Sequence, residues 1–170
     1  LISNEGGIGM KLHVKALGSV GLVLGLGASS AFKHDGVAAP GVCSLVTRAE
    51  AAAALGAAVP VGSEKVFDMP VQGGSIKARA CFYGSEVLVA RYELGDNSAK
   101  LFGDYRKSLE SKGDYLNVKG VGDEAFRAKG QLALRKGQSG FIVDVGQARG
   151  GGAKELAAET KLALLALGRS

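Results

Sequence analysis

Ser75-Ile-Lys-Ala-Arg-Ala-Cys-Phe-Tyr83, Gly84-Ser85 and Glu86-Val-Leu-Val-Ala-Arg-Tyr-Glu-Leu94 read as two strands and the tight connection between them. In the first, Ile76, Ala78, Ala80 and Phe82 alternate with Lys77, Arg79, Cys81 and Tyr83. A period of two is the mark of an extended chain whose successive side chains point to opposite faces. In the second, Leu88, Ala90, Tyr92 and Leu94 share one face while Val87, Val89, Arg91 and Glu93 share the other. Gly84-Ser85 supplies the conformational freedom of a hairpin turn.

Outward from this hairpin the pattern changes period. Asp96 or Asn97 can cap a helix running to about residue 112, with Leu101, Phe102, Tyr105 and Leu109 on one stripe and Gly113 as its stop. Upstream, Thr47 and Glu50 have capping-box spacing, residues 49–55 are almost all alanine and leucine, and Gly56 offers a left-handed stop. A third helix is expected over about residues 153–167, with Leu156, Thr160, Ala163, Leu164 and Leu167 on one side. Short extended segments are expected at 64–68, 115–119, 124–129, 131–136 and 141–147. The pattern predicts an α+β fold, with an antiparallel, curved sheet of about five to six strands and three helices collected on one face. Residues 80–84 and 133–137 each lead into a strand and then a helix, which suggests an internal hairpin–helix repeat.

The front of the chain is of another kind. Met10-Lys-Leu-His-Val-Lys15, an apolar run over residues 16–26 and Ala28-Ser-Ser-Ala31 follow the order of a secretory signal, with cleavage expected after Ala31. The run is shorter than the roughly 20 residues that cross a bilayer, so no stable membrane anchor is expected after cleavage. Residues 1–9 read as upstream over-translation, because Glu5-Gly6-Gly7 can be encoded as a purine-rich ribosome-binding sequence. The expected organisation is thus 1–9 upstream, 10–31 signal, 32–42 flexible leader and 43–170 one domain, located in the periplasm or outside the cell. Of 21 basic and 16 acidic residues, loss of Lys11, Lys15 and Glu5 leaves 19 and 15, a net charge of about +4 with both signs interspersed. The export signal and the lack of a basic block interleaved with aromatics argue against nucleic acid as a partner.

Cys43 and Cys81 are the only cysteines. In an oxidising compartment an isolated pair is most simply one disulfide; a reactive thiol or a metal site is the alternative, and the spacing is not C-x-x-C. Cys43-Ser-Leu-Val-Thr-Arg-Ala-Glu-Ala51, Cys81-Phe-Tyr83 and Val118-Lys-Gly-Val-Gly-Asp-Glu-Ala-Phe126 together resemble a broad group of small exported bacterial domains of unknown function, many of them lipoproteins or sensor-like envelope parts. The resemblance implies an α+β fold and a disulfide between the two cysteines, and no catalytic residues. This chain lacks the lipobox of the lipoprotein members.

A hydrolase of the Ser-His-Asp or Cys-His kind needs a histidine within the domain, and His34 lies in the leader. The same shortage argues against a zinc site, and no cofactor is expected. Asp123-Glu124, behind Gly120-Val-Gly122, are weak candidates for acid–base work, although adjacent side chains on a strand diverge and the glycines fit a turn. Arg149-Gly-Gly-Gly152 lacks phosphate-loop spacing and reads as a loop. The sharper candidate is a basic sheet face built from Lys77, Arg79, Arg91 and Arg135, able to grip an anionic ligand. The expectation is an exported, non-enzymatic binding or structural domain whose partner is an unknown envelope component or protein. An inhibitor or accessory protein docking to an exported enzyme, and a carboxylate-based enzyme, are the alternatives.

Overall fold

The computed structural model describes residues 41–71, 74–110, 115–146 and 152–170. The expected upstream residues, signal and most of the leader lie outside these; of the leader, Gly41 and Val42 are described, and Val42 is buried in the core. A 3-10 turn over Val42–Ser44 leads to α1 (Arg48–Leu55), β1 (Ser63–Val71), β2 (Gly74–Tyr83) and β3 (Val87–Glu93). A second 3-10 turn, Gly95–Asn97, precedes α2 (Ser98–Glu110), then β4 (Leu116–Val118), β5 (Glu124–Ala128), β6 (Gln131–Lys136), β7 (Ser139–Asp144) and α3 (Ala153–Leu167).

The fold is α+β, and its strands form one open sheet in the order β1-β2-β3-β7-β6-β5-β4 with every neighbouring pair antiparallel. The sheet has seven strands rather than five to six, because the three-residue β4 pairs with β5 at one edge and β1 pairs along its full length with β2 at the other. Two meanders, β1-β2-β3 and β4-β5-β6-β7, meet where β3 pairs with β7 from Leu88↔Asp144 to Glu93↔Ser139.

The helices are not collected on one face. α1 and α3 pack with Cys81, Val89, Leu132, Leu134, Phe141 and Val143, whereas α2 places Phe102 and Leu109 against Phe126, Ala128 and Ala133 on the opposite side. The reason lies in the strands: both faces carry buried apolar residues, and an apolar sheet face needs cover. The repeat expectation fares accordingly. Two copies meeting through the antiparallel β3–β7 pair would be related by a twofold normal to the sheet, which would leave both helices on one face; here they lie on opposite faces.

Local capping follows the sequence. Thr47 Oγ1 accepts from the Glu50 amide and Glu50 Oε2 accepts from the Thr47 amide, which closes the capping box, and Gly56 ends α1 in the left-handed conformation. The buried stripe of α3 differs from expectation: Glu155, Glu159, Leu162, Ala163 and Ala166 face inward, and Leu164 is half exposed. That stripe is the expected one turned by one residue, about 100° of helix. Two glutamates are drawn inside because Arg127 of β5 meets them there.

Cys43 and Cys81 form a disulfide that ties the first 3-10 turn to β2, the second strand of the sheet. Closing a loop of 38 residues stabilises the fold by about 4 kcal/mol in the chain-entropy model. The Tyr83 hydroxyl donates to the carbonyl of Val46 and lies 3.3 Å from that of Cys43, so the same turn is held twice. Gly62 passes directly over the bridge: a Cβ there would sit 2.6 Å from Cys81 Sγ and 2.9 Å from Tyr83 Cε1. Neither obstacle can swing away, one being cross-linked and the other held by its hydroxyl. Gly62→Ala is expected to cost about 1–3 kcal/mol of stability, measured by urea unfolding of the oxidised protein; an unchanged midpoint would show that the bridge has room to move.

Candidate functional site

The strand register decides what becomes of the expected basic face. Lys77, Arg79 and Arg91 point to the side that α1 and α3 partly cover, with Arg79 directly opposite Arg91. Arg135 lies opposite Gly140, which lies opposite Tyr92, so it points to the other side of the sheet. The four cations therefore do not form one surface.

Each has also found a carboxylate. Lys77 meets Asp68 at 3.3 Å, Arg79 meets Glu64 at 3.4 Å, and Arg91 meets Glu93 at 3.1 Å while donating to Ser139 Oγ. Like charges placed directly across a ladder repel, and a carboxylate beside each arginine offsets that repulsion. Arg135 is shared between Asp123 at 3.2 Å and Glu124 at 3.0 Å.

Asp123 and Glu124, expected to diverge, converge on this one guanidinium because Asp123 stands in the turn before β5 and Glu124 is the first residue of the strand. Asp123 also accepts from the Gly137 amide at 2.8 Å and from Lys136 Nζ at 2.9 Å, and these contacts, the amide first, hold its carboxyl below the usual carboxylate range. Glu124 is bridged onward to Arg106 of α2 at 3.5 Å. The pair is thus a charge-neutralised clasp between the turn, β6 and α2. Gly122 makes it possible: its φ is +65° and a Cβ would approach Arg135 O to 2.5 Å.

A second charged cluster was not expected. Arg127 donates from Nη2 to Glu155 at 2.7 Å and from Nε to Glu159 at 2.9 Å. Glu159 is fully buried, and its Oε1 has no hydrogen-bond partner among the described residues. Nearby, Asp144 accepts from Gln131 and from the Gly146 amide. Burial pushes the Glu159 carboxyl up to about 7, with Asp144 and Glu155 adding to the rise and Arg127 opposing it.

Among the described residues no group of three or more His, Cys, Asp or Glu is placed to hold a metal ion, and no helix is long and apolar enough to cross a membrane. His34 and residues 149–151 of the Arg149–Gly152 segment lie outside the described residues.

One concave feature among the described residues is apolar. Between α2 and the sheet lies a hollow of about 210 Å³. Met69, Val71 and Ile76 of the β1–β2 hairpin form one wall, and Leu101, Phe102 and Tyr105 of α2 form the other. Tyr92, Ala133, Gly140 and Ile142 line the floor. Small residues make the space: Gly140 has no side chain where a Cβ would stand 3.0 Å from Leu94 Cδ1 and 3.5 Å from Tyr92 Cδ2. α2 is held over the sheet by Phe126, whose ring meets Phe102 at 5.3 Å and Tyr105 at 5.7 Å between centroids. None of these residues is charged, which is why a search of the sequence for reactive groups passes over them. The one legible trace is the Leu101, Phe102, Tyr105, Leu109 stripe, of which Phe102 and Leu109 are buried while Tyr105 remains partly exposed at the rim.

No protein-family model, no curated protein and no solved structure matches this chain.

The two perturbed glutamates give opposite pH dependences. Glu159 titrates higher folded than unfolded, so its contribution to stability is full below about pH 4.5 and is lost as the pH rises to about 7. Glu50 is pulled down to about 2, first by Arg169, whose Nη1 and Nη2 reach its two oxygens at 2.7 and 2.6 Å; its contribution is present above about pH 4.5 and lost as the pH falls towards 2. Stability is expected to fall by on the order of 2 kcal/mol between about pH 5 and about pH 8, and Glu159→Gln to remove that fall. Urea midpoints at the two pH values check this, and an equal fall in the variant would assign it elsewhere.

Proposed function

We propose that the chain is an exported, non-enzymatic binding domain of the bacterial envelope or extracellular space, and that its ligand site is the hollow between α2 and the sheet. The observation that carries the reading is the hollow itself: a concave space of about 210 Å³, walled by apolar side chains contributed by six elements of the fold. Concave, mostly apolar sites with few polar groups are the usual form of a small-molecule site. The Met10–Ala31 pattern, the Cys43–Cys81 bridge and the resemblance to exported bacterial domains support the location. The basic face gives less support for an anionic ligand, since each of its cations is already paired.

A second reading, an accessory protein that docks to an exported enzyme, is favoured by β1. This nine-residue edge strand presents Val66 and Phe67, 55% and 41% exposed, on its two sides. Unpaired strand edges are templates for association with another chain.

Titration with isopropylbenzene, followed through side-chain methyl NMR signals, separates the readings. The expected result is saturable shifts at Met69, Ile76, Leu101 and Ile142, with the buried Leu162 of α3 on the other side of the sheet unmoved, and their loss in Leu101→Trp, whose larger side chain fills the space. Absence of saturable shifts in the wild type would remove the hollow as a site and leave β1 as the better candidate.

A further inference from the structure

The hollow is nearly dry chemistry with two exceptions. Among the described residues that line it only Tyr92 and Tyr105 carry a strong hydrogen-bonding group, and neither hydroxyl makes a hydrogen bond to the described residues. Tyr92 is buried on β3, Tyr105 is partly exposed on α2, and both residues line the hollow. Burial is the chief cause that raises the Tyr92 phenol, and a charge on Tyr105 adds to the rise. Burial raises Tyr105 as well, so both remain neutral O–H groups throughout the physiological range.

Size and charge narrow the ligand further. An apolar protein cavity of about 150 Å³ holds one benzene molecule, so about 210 Å³ admits one substituted ring or a short acyl chain. Among the described residues no lysine, arginine, aspartate or glutamate lines the walls. An ionised ligand group would be stripped of water there without a partner, which is costly. A purely hydrocarbon ligand would leave the hydroxyl of the buried Tyr92 unsatisfied once it had expelled the solvent.

We infer that the hollow takes a small neutral molecule, the size of one substituted aromatic ring or a short acyl chain, that carries a single hydrogen-bond acceptor engaged by the hydroxyls of Tyr92 and Tyr105. The inference rests on the hollow being the ligand site. The phenols act as donors to the acceptor while Met69, Ile76, Leu101 and Ile142 enclose the apolar body.

Acetophenone and isopropylbenzene, which match in shape and differ by a carbonyl oxygen, are the probes. Their dissociation constants are measured by NMR titration against the full folded chain and against Tyr92→Phe, Tyr105→Phe and the double variant. Removing one donor is expected to weaken acetophenone by about five-fold, and the double variant by more, while isopropylbenzene changes by less than about two-fold. Isopropylbenzene binding also reports that each variant retains its fold; if Tyr92→Phe does not fold, Tyr105→Phe at the rim carries the test. Equal response of the two probes would overturn the role of the hydroxyls and leave the hollow as a site. Failure of both probes to bind the wild type would overturn the site and the ligand class together.

Discussion

The Cys43–Cys81 bridge is the constraint on which the rest of this structure depends. It fixes the first 3-10 turn over β2, and that turn sets where α1 starts and which sheet face it covers. Tyr83 doubles the attachment through the carbonyls of Val46 and Cys43, and Gly62 is held to a bare backbone by the sulfurs beneath it. α3 then closes over the same core, and its far end returns to the start: Arg169 donates to Leu45 O and forks onto Glu50, the residue that completes the α1 capping box. A cap, a cross-link and a terminal ion pair thus meet within a few residues of one another.

Charge is used differently in different parts of the sheet. On β1–β3, Lys77 and Arg79 pair with carboxylates of β1 and Arg91 with Glu93 of its own strand, and such surface pairs add little to stability, typically below about 1 kcal/mol each. Under α3 the same chemistry is buried. Arg127 serves two carboxylates at once, and one oxygen of Glu159 has no hydrogen-bond partner among the described residues. A buried pair of this kind is expensive to desolvate, so it specifies which face of α3 turns inward more than it strengthens the fold.

How much of this could be read from the residues follows from the range over which each signal acts. The hairpin over residues 75–94, the Thr47–Glu50 box, the Gly56 stop and the α3 bounds are local patterns, and the structure carries each of them. The cysteine pairing was legible because only two cysteines exist. What failed was what depends on distant partners. Strand alternation assigns faces only within a strand, so nothing in residues 131–136 says that Arg135 lies on the opposite side from Arg79; that follows from the ladder through Gly140 and Tyr92. The inward turn of Glu155 and Glu159 depends on Arg127, 28 and 32 residues away, and an apolar-stripe reading of α3 necessarily places glutamate outside. The side taken by α2 and the hollow beneath it arise where residues of β1, β3 and β7 come together, and the strongest contribution at the floor is the missing side chain of Gly140.

The position of β3 has a consequence for the order in which the chain is made. Val87 and Val89 on one face and Ala90 and Tyr92 on the other are buried, so the strand is apolar on both sides. One of its edges is taken by β2 as soon as the first hairpin closes, but the other is taken by β7, whose last residue is Asp144. A ribosome has therefore to synthesise some fifty further residues before the strand most suited to aberrant association is sealed, and the finished molecule keeps it in the interior of the sheet and leaves its rims to β1, with Lys65 and Pro70, and to the three residues of β4.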